Sequence, residues 1–387
     1  MIYLDYSANT PVDPAVLEAF CKAEQMYIGN PNSTHCAGRA ACEEMARVTD
    51  HIAGLLGVEP AGIIYTSGAS ESNNLAIKGI AQASRNTGRH MISTVLEHAS
   101  VGGTLTALQQ QGWEVDLLDI QRDGTIDLEQ LGDLLRKDTI LVSVCAVDSE
   151  LGTVQPIRQI TEILKDFPNC RLHVDATQAI GKTELVMDGV GSEMCIRDRV
   201  MDGVDTMSIA PHKFYGLNGS GLLLKKSSVI IEPQIHGGSS TTLYRSGTPA
   251  LALAVSIEKA LQLTLTQQEE RIRCVRQLNE YLKTALLHYP SVRINSPEGA
   301  VPHILNLSVQ GLKGTVFQRV LSERGVCVSV KSACSAEGTP SKAVFAVSGD
   351  RKNALSSWRV SLSHLTTREE LDEFLQVFDQ CYKELGP

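Results

Sequence analysis

Two residues with complementary charge each end a short apolar stretch. Asp175 ends the stretch at residues 172–174, and Lys213 follows His212 at the end of a second stretch about forty residues later. A lysine amine can hold an aldehyde as a Schiff base, and a carboxylate can keep a ring nitrogen protonated. Pyridoxal phosphate (PLP) carries both groups. The pair therefore predicts a PLP site and chemistry at the alpha carbon of an amino acid.

Both residues also have simpler interpretations. Asp175 could cap the backbone that follows it, and Lys213 could be an ordinary surface lysine. Gln178, however, comes three residues after Asp175, where it could meet a cofactor oxygen, and His212 begins a tight turn around Lys213. A carboxylate in a buried position is costly unless a cation pairs with it. We therefore favour the cofactor interpretation.

Two further segments follow predicted strands. The serine-rich run at residues 66–73 opens a helix, where free backbone amides can bind an anion such as a phosphate. Such helix starts also cap themselves, which is the alternative. His98 lies just past another strand end, where its imidazole could stack on a pyridine ring. It could equally bond a carbonyl at a helix start.

Cys334 and Arg359 are candidates for later steps of the chemistry. Cys334 lies in a small, polar segment, residues 331–340, and Lys331 would favour its thiolate. Its alternative is an unremarkable loop cysteine. Arg359 is a charge inside an apolar strand, where its planar guanidinium suits a substrate carboxylate. A structural salt bridge is the alternative.

The elements that must position these residues follow from periodicity. Between residue 33 and about residue 260, apolar stretches at 63–66, 90–95, 140–147 and 172–174 alternate with helical patterns. This alternation predicts an α/β fold with a mainly parallel sheet covered by helices on both faces. One helix is expected to start near Ala37 and to end at Gly57.

A second, smaller unit is expected toward the end of the chain. Helical patterns cover about 251–288, apolar stretches at 304–308, 326–330 and 358–362 predict strands, and Thr367 caps a last helix. We predict a large PLP-binding α/β domain at residues 15–255. Residues 1–14 and 256–387 are predicted to form a small α+β domain that carries the cysteine segment.

Composition limits the possible partners. The 387 residues are 43% hydrophobic and carry a net charge of −9, which argues against a nucleic-acid or membrane surface as the main partner. No apolar run predicts a leader or a membrane span, so a cytoplasmic location is expected. The ten cysteines contain no Cys-x-x-Cys pair and predict no metal site.

One segment is duplicated. Residues 186–190 recur at 200–204, and Met-Cys-Ile-Arg-Asp between the copies resembles the translation of a sequencing-adapter end. We interpret the extra fourteen residues as an assembly artefact and expect an exposed loop there.

Taken together, the motifs resemble the cysteine desulfurases of the NifS and IscS type, a branch of the class-V aminotransferase superfamily with the fold-type I architecture of PLP enzymes. The matching segments are residues 3–14, 29–33, 66–72, 97–98, 173–178, 212–213, 245–248, 332–334 and 359–362. The resemblance implies that Lys213 binds the PLP aldehyde, that His98 stacks on the ring, and that Asp175 and Gln178 hold its nitrogen and phenolic oxygen.

The resemblance also implies contacts from less obvious residues. The phosphate contacts come from Ala69, Ser70 and His212, and Thr248 reaches across from a second subunit, which implies a homodimer. Ser149 stands where an asparagine usually contacts the cofactor. Asn32 and Arg359 are implied to bind the substrate.

The implied activity is removal of sulfur from L-cysteine to give L-alanine and a persulfide on Cys334. The sulfur then passes to an acceptor protein for iron-sulfur cluster assembly or tRNA thiolation. Two departures from the pattern, Ser149 and the hydroxyl-free Ala210, would each cost roughly 1.5 to 3 kcal/mol if a hydrogen bond to a charged group is lost. The alternatives are a related PLP-dependent selenocysteine lyase or aminotransferase, or a weakened paralogue that acts as a sulfur-relay or scaffold-binding protein.

Overall fold

The computed structural model describes residues 1–183, 203–238, 240–331 and 338–386. The helices are α1 (Pro14–Met26), α2 (Cys36–Leu56), α3 (Ala69–Ala83), α4 (Ala99–Gln109), α5 (Leu128–Leu134), α6 (Ile157–Leu164), α7 (Leu251–Thr266), α8 (Gln268–Leu286), α9 (Gly314–Glu323), α10 (Lys342–Ser348), α11 (Arg351–Ser356) and α12 (Arg368–Leu385). The strands are β1 (Ile2–Tyr3), β2 (Ile63–Thr66), β3 (His90–Thr94), β4 (Glu114–Leu118), β5 (Thr139–Cys145), β6 (Arg171–Asp175), β7 (Thr206–Ile209), β8 (Gly221–Lys225), β9 (Val292–Ile294), β10 (Ile304–Val309), β11 (Val326–Cys327) and β12 (Ser357–Ser361). Most of the predicted loop at the duplication, and Cys334, lie outside the described residues.

A seven-stranded sheet forms the centre of the fold, in the order β2-β8-β7-β6-β5-β3-β4. Among the described strands of this sheet, β8 runs antiparallel to both of its neighbours, β2 and β7, and the other pairs are parallel. Successive residues of β8 face opposite cores: Leu222 and Leu224 pack with α2, α6 and α7, whereas Leu223 packs with α3 and α4. The α/β prediction with helices on both faces is confirmed.

Predicted helix boundaries are also found. The second helix ends at Leu56 and is followed by Gly57 as its C-cap. The last helix begins after Thr367, whose side chain accepts from the Glu370 N–H while the Glu370 carboxylate accepts from the Thr367 N–H. Both signals act within one turn of the chain, which is why sequence alone locates them.

A second core lies around a three-stranded antiparallel sheet, β12-β10-β9. Trp358, Phe317, Phe374 and Phe378 are buried together there. The strand β1 pairs in parallel with β11, so the first residues of the chain join this part of the molecule. Of the strand expected at 326–330, Val326–Cys327 is formed. The proposed domain boundaries stay a prediction.

The parallel strands end at one common edge of the large sheet. The ends of β2, β3, β5, β6 and β7 and the segments that follow them there contain most of the predicted site residues. Ligands of open α/β sheets bind at this edge. Within the described ranges, every helix is too short or too polar to cross a bilayer.

Candidate active site

A cavity of about 400 Å³ opens at this edge of the sheet. Nine of the predicted site residues line it, namely Ala69, Ser70, His98, Ser149, Asp175, Gln178, His212, Lys213 and Arg359. The volume suits a small cofactor together with an amino acid. The topology therefore brings together residues that are up to 290 positions apart in the chain.

Lys213 is held by the start of the chain. Its Nζ donates to the carbonyl oxygens of Ser7 at 2.8 Å and Ala8 at 2.6 Å. Tyr215, two residues later, has φ 67°, an uncommon value for a residue with a side chain. Its N–H donates to Thr10 Oγ1 at 2.7 Å. The turn after β7 is thus fixed against residues 7–10, which places the Lys213 amine in the cavity.

Asp175 is held by a directional chain of neutral groups. Asn73 Nδ2 donates to Asp175 Oδ2 at 2.8 Å, and Asn73 Oδ1 lies 3.0 Å from His173 Nε2. Because Asn73 Oδ1 can only accept, His173 carries its proton on Nε2, and Nδ1 accepts from Thr206 Oγ1 at 2.9 Å. Burial lowers the pKa of His173 to about 4. Every donor in this chain points toward the Asp175 carboxylate.

His98 is the N-cap of α4 and belongs to the same network. Its Nδ1 accepts from the Ser100 N–H at 3.1 Å and lies 2.8 Å from Ser100 Oγ, which in turn accepts from Asn73 Nδ2 at 2.9 Å. Burial lowers the pKa of His98, as does Lys213, while Asp175 opposes the shift. The neutral ring therefore carries its proton on Nε2. His98 therefore both caps the start of α4 and lines the cavity.

The N-terminus of α3 is open to an anion. Its N-cap, Gly68, has φ 151° and makes no side-chain cap. A Cβ on Gly221 would meet Gly68 Cα at 2.6 Å, so the turn packs directly on β8. Glu71 is occupied by the Ser67 N–H and by Arg245. The segment caps itself in part, since Thr66 Oγ1 accepts from the Gly68 N–H at 3.4 Å. Ala69 and Ser70, whose backbone amides begin the helix, line the cavity.

His212 lines the same cavity as Lys213 and the start of α3. Burial lowers its pKa to about 4, and the charges of Lys213, Lys182 and His98 act in the same direction. A neutral imidazole can donate one hydrogen bond to a phosphate without bringing a charge.

The contacts of Arg359 fit both interpretations made from the sequence, a structural salt bridge and a substrate site. It is 2% exposed, and its Nη2 donates to Asp5 Oδ1 at 2.9 Å in a buried salt bridge. Its Nη1 donates to the Ser149 carbonyl at 2.6 Å, and it still lines the cavity. These contacts hold the guanidinium plane while Nε has no acceptor among the described residues. Donors remain for a substrate carboxylate.

Two predicted site residues, Asn32 and Thr248, are not among the residues that line this cavity. Asn32 is exposed, and its N–H donates to Asn30 Oδ1. Thr248 is exposed as well. Cys334 lies outside the described residues. The roles of these three residues stay predictions.

Several residues of the site were not singled out from sequence. Asn73, one turn inside α3, and Ser100, the second residue of α4, sit in the predicted helix starts, and these positions were the available signal. Glu97 is half-buried: its Oε1 accepts from the Cys145 N–H and from Thr94 Oγ1, both at 2.9 Å. Burial raises the pKa of Glu97 to about 8. Glu97 therefore ties the His98 turn to the end of β5 as a neutral acid.

Comparison with known proteins agrees with this geometry. The sequence model of the family described as "Aminotransferase class-V" matches residues 2–374. The chain belongs to this family. It is 38% identical to the "NifS/IcsS protein homolog" of Lactobacillus delbrueckii subsp. bulgaricus, over 99% of this chain and 97% of that protein. It is 34% identical to the "Cysteine desulfurase IscS" of Dictyoglomus turgidum, over 99% and 95%.

Solved structures with similar sequences show the same fold. A "NIFS-LIKE PROTEIN" superposes with a TM-score of 0.89 at 31% identity, over 99% of both chains. A structure titled "SspA in complex with cysteine" superposes with a TM-score of 0.80 at 30% identity, over 95% of this chain and 100% of that one. The predictions of a fold-type I architecture and of a PLP-dependent cysteine desulfurase of the NifS and IscS type are confirmed.

The cavity fits PLP by the chemistry of its donors. Lys213 supplies an amine, Asp175 a buried carboxylate for a ring nitrogen, and the start of α3 a set of amides for a phosphate. Gln178 supplies an amide donor whose Nε2 also bonds the Ser7 carbonyl at 2.8 Å. Each polar feature of the cofactor therefore has a counterpart.

Proposed function

We propose that this protein removes sulfur from L-cysteine, releases L-alanine, and carries the sulfur as a persulfide on Cys334. The observation that supports the proposal most is the cavity itself, in which an amine, a buried carboxylate and an open helix start converge in a chain of the class-V aminotransferase family. When bound, PLP supplies an electron sink for charge that develops at the substrate alpha carbon. Side chains of the protein bind the substrate and transfer protons.

Substrate binding begins at Arg359. Asp5 and Ser149 fix its guanidinium in the cavity, and Ser329 Oγ in turn donates to Asp5 Oδ2 at 2.7 Å. A planar cation with free N–H donors binds a carboxylate strongly in a buried site. The L-cysteine carboxylate is therefore proposed to bind here, which directs the alpha carbon toward Lys213.

Proton transfer is assigned to Lys213 and His98. In the proposed reaction, the Lys213 amine takes the proton from the substrate alpha carbon, because it is the amine that points into the cavity. His98 lines the same cavity with Nε2–H as donor, so its ring would orient the cofactor and could exchange a proton there. Asp175, held by Asn73, would pair with the ring nitrogen of bound PLP.

The sulfur step is assigned to Cys334. Its thiolate attacks the substrate sulfur, an S–S bond forms, and the Cβ–S bond breaks. The electron pair of the broken bond stays with the amino acid, which is protonated and leaves as L-alanine. The persulfide sulfur is then proposed to pass to an acceptor protein, a scaffold for iron-sulfur clusters or a tRNA-thiolation enzyme. A homodimer, in which Thr248 completes the site of the partner subunit, belongs to the same proposal.

The test is product analysis with purified protein, PLP and L-cysteine. Wild type is expected to release L-alanine without any partner protein, and Cys334→Ala is expected to lose persulfide formation. Sulfur release that is unchanged in Cys334→Ala would favour the selenocysteine lyase or aminotransferase alternative. Wild type that binds PLP but releases no alanine would favour the weakened paralogue, an alternative supported by the missing hydroxyl at Ala210.

A further inference from the structure

A second lysine is buried behind the cavity. Lys182 is 7% exposed, and its Nζ donates to Gln178 Oε1. Among the described residues, no carboxylate lies within ion-pair distance of this amine. Burying an amine without an acidic partner is costly, and such costs are found where a residue has a task beyond packing.

The turn that carries Lys182 is fixed in place. Gly181 has φ 74°, and a Cβ there would meet Thr264 Cγ2 at 2.3 Å, so only glycine lets the turn pack against α7. The Lys182 N–H donates to the Ala179 carbonyl at 3.0 Å. The amine is thus held at a defined position relative to Gln178.

The contact determines which way the Gln178 amide points. With Oε1 on the Lys182 amine, Nε2 donates to the Ser7 carbonyl, and that carbonyl also accepts from Lys213 Nζ. A flipped amide would place two donors together at Lys182 and two oxygens together at Ser7. The second Nε2 hydrogen is therefore left for a ligand in the cavity that Gln178 lines.

We propose that Lys182 is a positioning residue that acts through Gln178: it fixes the amide so that Nε2–H is presented to the phenolic oxygen of bound PLP. The inference rests on the proposed function, because it requires PLP in the cavity. It adds a residue whose side chain is not among those that line the cavity.

The contact does not depend on the charge of Lys182. Burial, followed by the charges of Lys213 and Arg359, lowers the pKa of Lys182 well below its usual value. Both the ammonium and the neutral amine carry N–H donors, so Gln178 Oε1 is bonded in either state. A side chain without a donor would leave that oxygen buried and without a partner.

The experiment measures the PLP dissociation constant and the pH midpoint of the visible absorption band of the holoprotein. For Lys182→Met, which keeps the length but removes the donor, PLP binding is expected to weaken about 3- to 10-fold, the range for one lost hydrogen bond. The pH midpoint is expected to rise, because a weaker donor to the phenolic oxygen favours its protonated form. Lys182→Arg, which keeps a donor, is expected to restore both properties in part.

A double-mutant cycle separates positioning from general stability. In a Gln178→Ala background, Lys182→Met is expected to cause no further loss of PLP affinity, because its effect passes through the amide. Lys225→Met is the matched control: this lysine is 5% exposed, and its Nζ donates to the carbonyls of Lys226 and Val229, away from the cavity. It is expected to lower the melting temperature while PLP affinity and spectrum stay unchanged.

Equal loss from Lys182→Met with and without Gln178, or PLP affinity and spectrum identical to wild type, would overturn the inference. If Lys182→Met does not fold, Lys182→Gln, too short to span the same contact, is expected to show the same loss. Wild type that fails to bind PLP would overturn the proposed function together with this inference, whereas a normal wild type beside an unaffected Lys182→Met overturns the inference alone.

Discussion

The two sides of the cavity stabilise charges of opposite sign. On the acidic side, Asp175 receives hydrogen bonds from neutral groups, Asn73 Nδ2 and the Thr177 N–H. On the cationic side, Lys213 contacts carbonyls and Arg359 pairs with Asp5, while Lys182 contacts an amide oxygen behind the cavity. The acidic side is therefore prepared for one positive group, and the cationic side for several negative ones. A cofactor with a protonated ring nitrogen, a phosphate and a phenolic oxygen fits this asymmetry.

The largest effect is expected from neutralising the acidic side. Asp175→Asn keeps the shape of the side chain but removes the charge that pairs with the ring nitrogen. Loss of one partner from a buried ion pair costs about 3 to 5 kcal/mol, so PLP affinity should fall at least about a hundredfold. Titration of the visible absorption band measures this. Asp205→Asn is the control, because that carboxylate accepts from the Leu172 N–H outside the cavity and its loss should leave PLP affinity intact. Equal losses in both variants would contradict the assignment.

A smaller effect is expected when Asp175 keeps its charge but loses its support. Asn73→Leu removes a hydrogen bond to a buried carboxylate, about 1.5 to 3 kcal/mol, and should weaken PLP binding about 10- to 150-fold. The same titration is the measurement. The neighbour Asn74, whose Nδ2 donates to the Ser70 carbonyl on the exposed side of α3, provides the control: Asn74→Ala should bind PLP as wild type does. Unchanged affinity in Asn73→Leu would mean that the chain from Thr206 to Asp175 is only structural.

The smallest effect is expected at Glu97, which connects the His98 turn to the end of β5. Burial raises the pKa of Glu97 to about 8, so the folded protein holds a proton there that the unfolded chain releases near the usual carboxyl pKa. The stability this proton provides is full below that usual value and is lost as the pH rises toward 8. Glu97→Gln carries no titrating group, so its melting temperature should rise relative to wild type between pH 5 and 8. A constant difference across that range would contradict the shift.

Sequence located those parts of the fold and site that local signals determine. The caps at Gly57 and Thr367 act within one turn, and the strand-end positions of Asp175 and Lys213 follow from periodicity and motif. Arg359 was left between two interpretations because its partner, Asp5, is 354 positions away. The pairing of β1 with β11 and the bridge between Asp5 and Ser361 bring the two residues together.

The supporting residues could not be predicted for a related reason. Asn73 bonds His173 and Asp175 across about a hundred positions, and nothing in its own segment distinguishes it from Asn74. Lys182 had a weak signal, since it stands four residues after Gln178, but its value depends on burial that only the packed turn provides. Polar groups gain their roles from the tertiary contacts that desolvate them.

The proposed chemistry depends most on the covalent link between PLP and Lys213. Wild type saturated with PLP, reduced with borohydride to fix the link, and digested for mass spectrometry should carry the cofactor on the peptide that contains Lys213. Lys213→Ala should carry no adduct and lose the visible band, with far-ultraviolet circular dichroism showing that it is folded. An adduct on Lys182 or Lys225, or a colourless wild type without any adduct, would contradict the account.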